Sequence, residues 1–149
     1  MLGRKKTIGR VEVVDFPAAK VYNLRAKVDT GAYRSSVWAT DIREDRGTLF
    51  FKLLGPESPN YSGHELKTKD FRLVEVENSF GHKQTRYSVF LKIKIDGKTF
   101  KSNFTLANRA SKTYSALIGR KLLKNRFVVD VSQGQPLQDE ELNGDDSLE

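Results

Sequence analysis

The sequence predicts an all-β domain with one short helix. Nearly every periodic segment alternates apolar and polar residues with a period of two, as strands of a half-buried sheet do. Turn sequences separate these segments: Asp96-Gly97 is typical of a two-residue β-hairpin, and Asp45-Arg46-Gly47 predicts another turn. Helical turns are favoured at Arg120–Lys124, directly after Gly119. We therefore expect a mostly antiparallel sheet closed into a barrel-like fold.

The predicted strands follow one another at short intervals. Pro17 ends the first strand, and the loop Gly55–Gly63 is rich in Pro, Asn and Ser. Asn78-Ser79-Phe80-Gly81 lies between two alternating segments and predicts the tip of a long hairpin. The predicted strands are Arg10–Phe16, Val21–Val28, Ser35–Ile42, Thr48–Leu54, Phe71–Glu77, Gln84–Phe90, Phe90–Ile95, Lys98–Leu106, Ala116–Ile118 and Phe127–Val131.

Length and composition favour a single domain with its own core. The chain has 149 residues and no cysteine, which excludes disulfides, thiolate metal sites and cysteine catalysis. We predict a flexible basic N-terminus at residues 1–7, a folded domain at 8–132, and an acidic, disordered tail at 133–149. Leu148-Glu149 is typical of a tag remnant. Neither a secretory signal nor a membrane span is apparent, so the expected location is cytoplasmic.

The charge is distributed unevenly. Residues 138–149 hold six carboxylate side chains and no Lys or Arg, so removing them from the net charge of +7 leaves +13 on residues 1–137. Such a balance favours an anionic partner, either nucleic acid, the ribosome or an acidic peptide. The alternative is a well-solvated surface, because the basic residues are scattered along the chain.

Two local patterns suggest chemistry. Val21–Val28 leads into Asp29-Thr30-Gly31-Ala32, a turn that presents a carboxylate at the surface beside a small hydroxyl residue and a glycine. Much later, Ala116–Ile118 is an apolar strand that ends at Gly119 and continues into the short helix. Each pattern alone is weak, because Asp and Gly are common in turns for local reasons. In this order, with a hairpin between them, the two patterns are moderately specific.

On these motifs the chain resembles the retropepsin-like aspartic peptidases, and more closely the bacterial family labelled ATP-dependent zinc proteases. The resemblance covers roughly residues 8–132. The matching segments are Ile8-Gly9-Arg10, Lys27–Ala32, Ser35-Ser36, Asn78–Gly81, Leu106–Arg109, Ile118–Arg120 and Phe127–Asp130.

The resemblance implies a function and its residues. Asp29 would be the catalytic carboxylate, with Thr30 bracing paired turns across a homodimer and Gly31 leaving room for substrate. The hairpin tip would close over a bound peptide or protein. The implied substrate-binding residues are Ala32, Arg34, Asn78, Ser79, Phe80, Gly81 and Arg120. Members of the family are associated with a ligase that adds glutamates to a small-subunit ribosomal protein, which implies trimming of such acidic tails. Lys27, Arg34 and Arg120 are candidates for binding them.

The dimer follows from the chemistry of the implied class. Two aspartates that share one proton form the catalytic unit, and Asp-Thr-Gly occurs once in this chain. The second carboxylate must therefore come from a symmetry-related copy. One departure affects the geometry: retroviral enzymes carry an acidic residue just after Asp-Thr-Gly-Ala, paired with the arginine of the later Gly-Arg. Here that position is Tyr33, so Arg120 lacks the expected partner.

Other functions have less support from the sequence. Only His64 and His82 could join carboxylates in a zinc site, and a phosphate-binding glycine loop is missing, so neither a metal nor any other cofactor is expected. Two alternatives stay open. The chain could be a catalytically silent dimer that keeps the turn for assembly, or a basic binding module that docks on ribosomal RNA or on an acidic protein.

Overall fold

The structure is a computed structural model. It describes residues 5–78 and 80–134. Eleven strands and one short helix are present in this part of the chain. The strands are β1 (Lys6–Ile8), β2 (Val11–Phe16), β3 (Val21–Val28), β4 (Ser35–Asp45), β5 (Thr48–Leu53), β6 (Glu65–Thr68), β7 (Phe71–Glu77), β8 (Lys83–Ile95), β9 (Lys98–Ala107), β10 (Ala116–Ile118) and β11 (Phe127–Val129). Helix α1 (Arg120–Leu123) follows β10, and a 3₁₀ turn covers Pro17–Ala19.

The main sheet closes into a ring of strands, which confirms the predicted all-β fold with one short helix after Gly119. Its order is β10-β3-β2-β8-β9-β4-β5-β6, and β10 also pairs with β4, so the path returns to its start. Most pairings are antiparallel as expected. Three are parallel: β1 with β11, β3 with β10, and β4 with β9. The short β10 thus joins two strands that are far from it in sequence.

The predicted turns have the backbone that their sequences favour. Asp96 and Gly97 have φ values of 49° and 77°, and Arg46 and Gly47 have 52° and 81°. Two consecutive left-handed residues match the twist of the flanking antiparallel strands, which is why Asp-Gly and similar pairs are favoured there. The first turn sets the register of β8 against β9, and the second sets that of β4 against β5 as far as Arg43, beyond which the register shifts.

Strand β8 is long enough to belong to two regions of the molecule. Its first part pairs with β7 in a hairpin that is largely exposed, whereas its second part alternates buried and exposed residues within the ring. The sequence predicts two segments that meet at Phe90, but no Gly or Pro interrupts them, and a single strand forms. In the core, the rings of Phe16 and Phe104 meet edge to face with their centroids 5.3 Å apart.

Two strands were not predicted from the sequence. The segment β1 has three residues and β6 has four with one apolar side chain, so neither carries a usable period. Lys6 and Thr7, in the segment expected to be flexible, pair with Phe127 and Val128. The last predicted strand ends earlier than expected, at Val129.

The chain after β11 is tied back to β1 by its backbone and by one carboxylate. Asp130 N donates to Ile8 O at 2.8 Å, and Arg10 N donates to Gln133 O at 2.8 Å. Asp130 Oδ1 accepts bonds from Ser132 Oγ at 2.6 Å and from Ser132 N at 2.9 Å. The hydroxyl and then the amide of Ser132 lower the pKa of Asp130 below its usual 3.8.

We predict that Asp130→Asn lowers the free energy of unfolding in a pH-dependent way. Because the native pKa is depressed, the ionised carboxylate stabilises the fold fully above the unfolded pKa, and this contribution is lost as the pH falls through the native value. Urea unfolding from pH 7 down to pH 2 should therefore show a difference between wild type and variant that shrinks below about pH 4. A difference that is constant with pH would contradict this role.

Candidate active site

The Asp29 turn begins where β3 ends. Asp29 N donates to Ile118 O at 2.9 Å, so the turn starts against the end of β10. Ala32 N donates to Asp29 O at 3.2 Å, and Gly31 N donates to Asp29 Oδ1 at 3.0 Å. Asp29 is half-buried, whereas Thr30 and Gly31 are exposed. The carboxylate is therefore oriented by the backbone at one oxygen and sits at the edge of solvent.

Gly119 lies directly behind this turn. Its N–H donates to the buried Ser35 Oγ at 2.9 Å. A Cβ at this position would stand 2.5 Å from Arg34 O and 2.8 Å from Tyr33 O, which are backbone atoms that cannot move aside. Only glycine permits this approach. Ser35 belongs to a motif of the family resemblance, but its role as the acceptor for Gly119 becomes visible only in the structure.

Helix α1 continues the contact from Gly119. Arg120 N donates to Ala32 O at 2.8 Å, and Lys121 N donates to Tyr33 O at 3.0 Å. The first amides of a helix lack partners within the helix, and here the turn supplies the acceptors. The turn and the start of the helix therefore satisfy each other's backbone groups.

Arg120 has partners other than the acidic residue seen in retroviral enzymes. Its Nη1 donates to Thr30 O at 3.1 Å, and its Cζ lies 5.9 Å from the centroid of the Tyr33 ring. A guanidinium at this distance is attracted to the ring face. Tyr33 therefore contacts Arg120 through its aromatic ring, in place of the carboxylate found at this position in retroviral enzymes. The Arg120 side chain thus binds the carbonyl of Thr30, the residue that follows Asp29.

A groove opens beside the turn, and we name it the cationic groove. Its volume is about 760 Å³. It is lined by four cations, Lys5, Arg120, Lys121 and Lys124, and otherwise by Thr30, Tyr33, Leu123, Asn125, Phe127 and Val129. In the described part of the chain, none of the four cations pairs with a carboxylate. The groove therefore presents positive charge above an apolar floor.

Of the three cations proposed from the sequence to bind an acidic substrate, only Arg120 lines this groove. Arg34 is half-buried and faces a much smaller cavity that it shares with Lys121. Lys27 lies in β3 opposite Leu117 and Val11. Sequence reasoning missed Lys5, Lys121 and Lys124. Lys124 follows Arg120 by four residues, one turn of the predicted helical segment, and this spacing could have indicated it.

The predicted hairpin tip is held by hydrogen bonds to Asn78. Asn78 Oδ1 accepts bonds from Phe80 N at 2.9 Å and His82 N at 3.0 Å, and Gly81 N donates to Asn78 O at 3.1 Å. The ring of Phe80 is 74% exposed. Ser79 lies outside the described residues. These hydrogen bonds join residues of the tip to one another. Closure of the tip over Asp29 is a proposal.

The residues present do not fit a zinc site. In the described residues, no three or more His, Asp or Glu side chains come together in a way that could hold a metal ion. His64 and His82 are both exposed. We therefore assign no step of any reaction to a metal. Within the same residues, no helix has the length and apolar character needed to cross a membrane.

An all-β ring with an Asp-Thr-Gly turn, backed by an apolar strand that ends in glycine, defines the retropepsin-like class of aspartic peptidases. The family model described as "RimB-like: Retropepsin-like aspartic endopeptidase RimB" matches residues 7–140. The chain belongs to this family.

Similar sequences occur in longer proteins named as glutamate ligases, and a similar structure is known for a protein of about this length. Proteins named "Probable alpha-L-glutamate ligase" match at 31% identity in Shewanella halifaxensis and 30% in Shewanella pealeana, in each case over 89% of this chain. The chain spans only 30% of the length of either relative. A crystal structure of a Legionella pneumophila protein of unknown function (DUF785) superposes with a TM-score of 0.66 at 25% identity, covering 87% of this chain and 96% of that one.

Gly119→Ala tests the close approach behind the turn. We expect a loss of about 1–3 kcal/mol in the free energy of unfolding, because the added methyl meets rigid backbone. Gly31→Ala is the matched control: its Cβ would meet only the tip of the Asp29 side chain, at 3.3 Å, and the expected change is under about 1 kcal/mol. Equal losses in the two variants, measured by urea unfolding, would contradict the role of Gly119.

Proposed function

We propose that the chain is an aspartic endopeptidase whose active site forms between two copies, each contributing Asp29. The observation that carries the proposal is the braced Asp-Thr-Gly turn, which presents one oriented carboxylate at the edge of solvent. Thr30 is proposed to brace the paired turns, Gly31 to leave room for the substrate, and Ala32, Arg34 and Arg120 to bind it. The tip residues Asn78, Ser79, Phe80 and Gly81 are proposed to cover the bound peptide.

The proposed mechanism uses a shared proton. Two carboxylates about 3 Å apart cannot both ionise easily, so the pair holds one proton. The ionised Asp29 removes a proton from water, whose oxygen attacks the scissile carbonyl, while the protonated Asp29 donates a hydrogen bond to the carbonyl oxygen. Collapse of the tetrahedral intermediate breaks the C–N bond, and a proton passes to the leaving amine. The pair then carries a single proton again.

We propose an acidic chain as the substrate, namely the glutamate-rich tail of a ribosomal protein. Two observations support an acidic, glutamate-rich chain, whereas the ribosomal protein follows from the family resemblance alone. The cationic groove starts at Thr30, next to Asp29, and in the described structure its four cations pair with no carboxylate. The curated relatives that contain a matching segment are named as glutamate ligases. A hydrolase that removes glutamates would reverse the addition that such a ligase makes.

Asp29→Asn should abolish hydrolysis. The amide cannot act as a general base, and we expect the rate to fall by at least about 10²–10⁴-fold, the range that positioned acid–base groups contribute. The assay is mass spectrometry of a protein with a polyglutamate tail, incubated with the enzyme across a range of pH. Asp45→Asn, at an exposed turn remote from the site, is the control and should cleave like wild type. Undiminished cleavage by Asp29→Asn would exclude the aspartic mechanism.

The proposed site is incomplete in one copy, so the active form should be a dimer. Sedimentation of the full chain at micromolar concentration, with and without the polyglutamate substrate, should reveal a dimer whose population rises in parallel with specific activity. Full activity in a sample that remains monomeric at all concentrations would refute the shared dyad.

A basic binding module is the second candidate function, and the cationic groove is the observation that favours it. Binding to RNA would weaken steeply with salt because counterions are released from phosphates. Under this function, Asp29→Asn would leave binding intact and no cleavage would be found in wild type. The hydrolysis assay therefore separates the two candidates.

A further inference from the structure

The outer face of the β8–β9 hairpin is basic. Strand β8 alternates buried and exposed residues over its second half, so every second side chain points away from the core. Among the described residues, none of the lysines on this face forms an ion pair with a carboxylate. We name this surface the basic sheet face; its outward side chains, three from each strand, are Phe90, Lys92, Lys94, Thr99, Lys101 and Asn103.

Two like charges oppose each other at the centre of this face. Lys92 pairs with Lys101 in the ladder, which places their Cα atoms about 5 Å apart. Like charges directly opposite one another destabilise a sheet. In the described ladders Lys94 has Asp15 of β2 beside it, whereas Lys92 and Lys101 have each other. An anion bound over Lys92 and Lys101 would therefore relieve a repulsion within the sheet.

An exposed aromatic ring lies next to these lysines. Phe90 precedes Lys92 on the same face, and its side chain is 50% exposed, whereas Val89 and Leu91 on either side are buried in the core. Among the described residues, no other ring and no cation stacks on it. The face of an aromatic ring is negative and does not attract a carboxylate. A nucleobase, by contrast, stacks on such a ring whatever its sequence.

We propose that the basic sheet face binds single-stranded RNA, with a base stacked on Phe90 and adjacent phosphates bound by Lys92 and Lys101. Cations that follow the backbone, together with an aromatic ring that holds a base, are the usual features of such sites. The face shares no residue with the lining of the cationic groove, although Lys121 of the groove donates to Asn103 at its border. Binding here does not rest on the peptidase activity and leaves the groove beside Asp29 open.

Salt-dependent binding of an oligouridine of about 12 nucleotides tests the proposal. Its fluorescence anisotropy is followed as the full chain is added, between about 0.05 M and about 0.2 M salt. Lys92→Gln with Lys101→Gln should reduce the slope of log K against log salt by about 1.4, because each phosphate contact on a single strand contributes about 0.7. Phe90→Ala should weaken binding about 5-fold to 100-fold and leave the slope unchanged, because stacking releases no counterion.

Matched variants elsewhere on the chain provide the controls. Lys67→Gln with Lys69→Gln removes the same charge from exposed positions in and just after β6, which two strands separate from β9 in the sheet. Tyr22→Ala removes a side chain that is 51% exposed on β3. Both should bind the oligouridine like wild type, and so should Asp29→Asn, whether or not the chain is a peptidase.

Four results would each overturn the proposal. The first is wild-type protein that does not bind the oligouridine, and the second is an equal loss of slope in the β6 variant and the sheet-face variant. The third is a larger loss in Lys5→Gln with Lys124→Gln, which would place the RNA in the cationic groove. The fourth is an oligoglutamate of equal length whose binding Phe90→Ala weakens as much as that of the RNA, which would indicate a site for an acidic protein.

Discussion

The backbone contact between Gly119 and the Asp29 turn is the constraint on which the rest of the structure depends. Strand β10 pairs with β3 on one side and with β4 on the other, and so closes the ring. The same strand supplies the Ile118 carbonyl that receives Asp29 N, and the helix after it donates to Ala32 and Tyr33. Closure of the sheet and orientation of the carboxylate therefore depend on the same strand, β10. A side chain at Gly119 would disturb both.

The surface next to this contact determines what the site can attract. Helix α1 satisfies its first amides with the turn, and this places Arg120, Lys121 and Lys124 on the rim of a groove that starts at Thr30. Arg120 has a second role, because its guanidinium holds the Thr30 carbonyl and faces the Tyr33 ring. The family is one of peptidases, and the charge of the groove favours the acidic chain that we propose as the substrate.

The all-β class, most strands, both two-residue turns and the short helix could be predicted, because period-two alternation and Asp-Gly chemistry are local properties. The turn at Asp29 and the strand before Gly119 were likewise found as local patterns. What could not be predicted depends on contacts distant in sequence. The parallel pairings of β10 with β3 and of β4 with β9, the bond from Gly119 to Ser35, and the assembly of Lys5 with Lys121 and Lys124 leave no local trace. The strands β1 and β6 were missed because each is too short to show a period.

The central claim is that two Asp29 carboxylates from different copies form one catalytic unit, and mixed dimers test it most directly. Wild-type and Asp29→Asn chains are mixed at a constant total concentration, allowed to exchange subunits, and assayed for cleavage of a polyglutamate-tailed protein. If the pair must be intact, only wild-type homodimers are active, and activity follows the square of the wild-type fraction, about one quarter at an equal mixture. A linear dependence, with about one half remaining, would show that each copy works alone and would contradict the account.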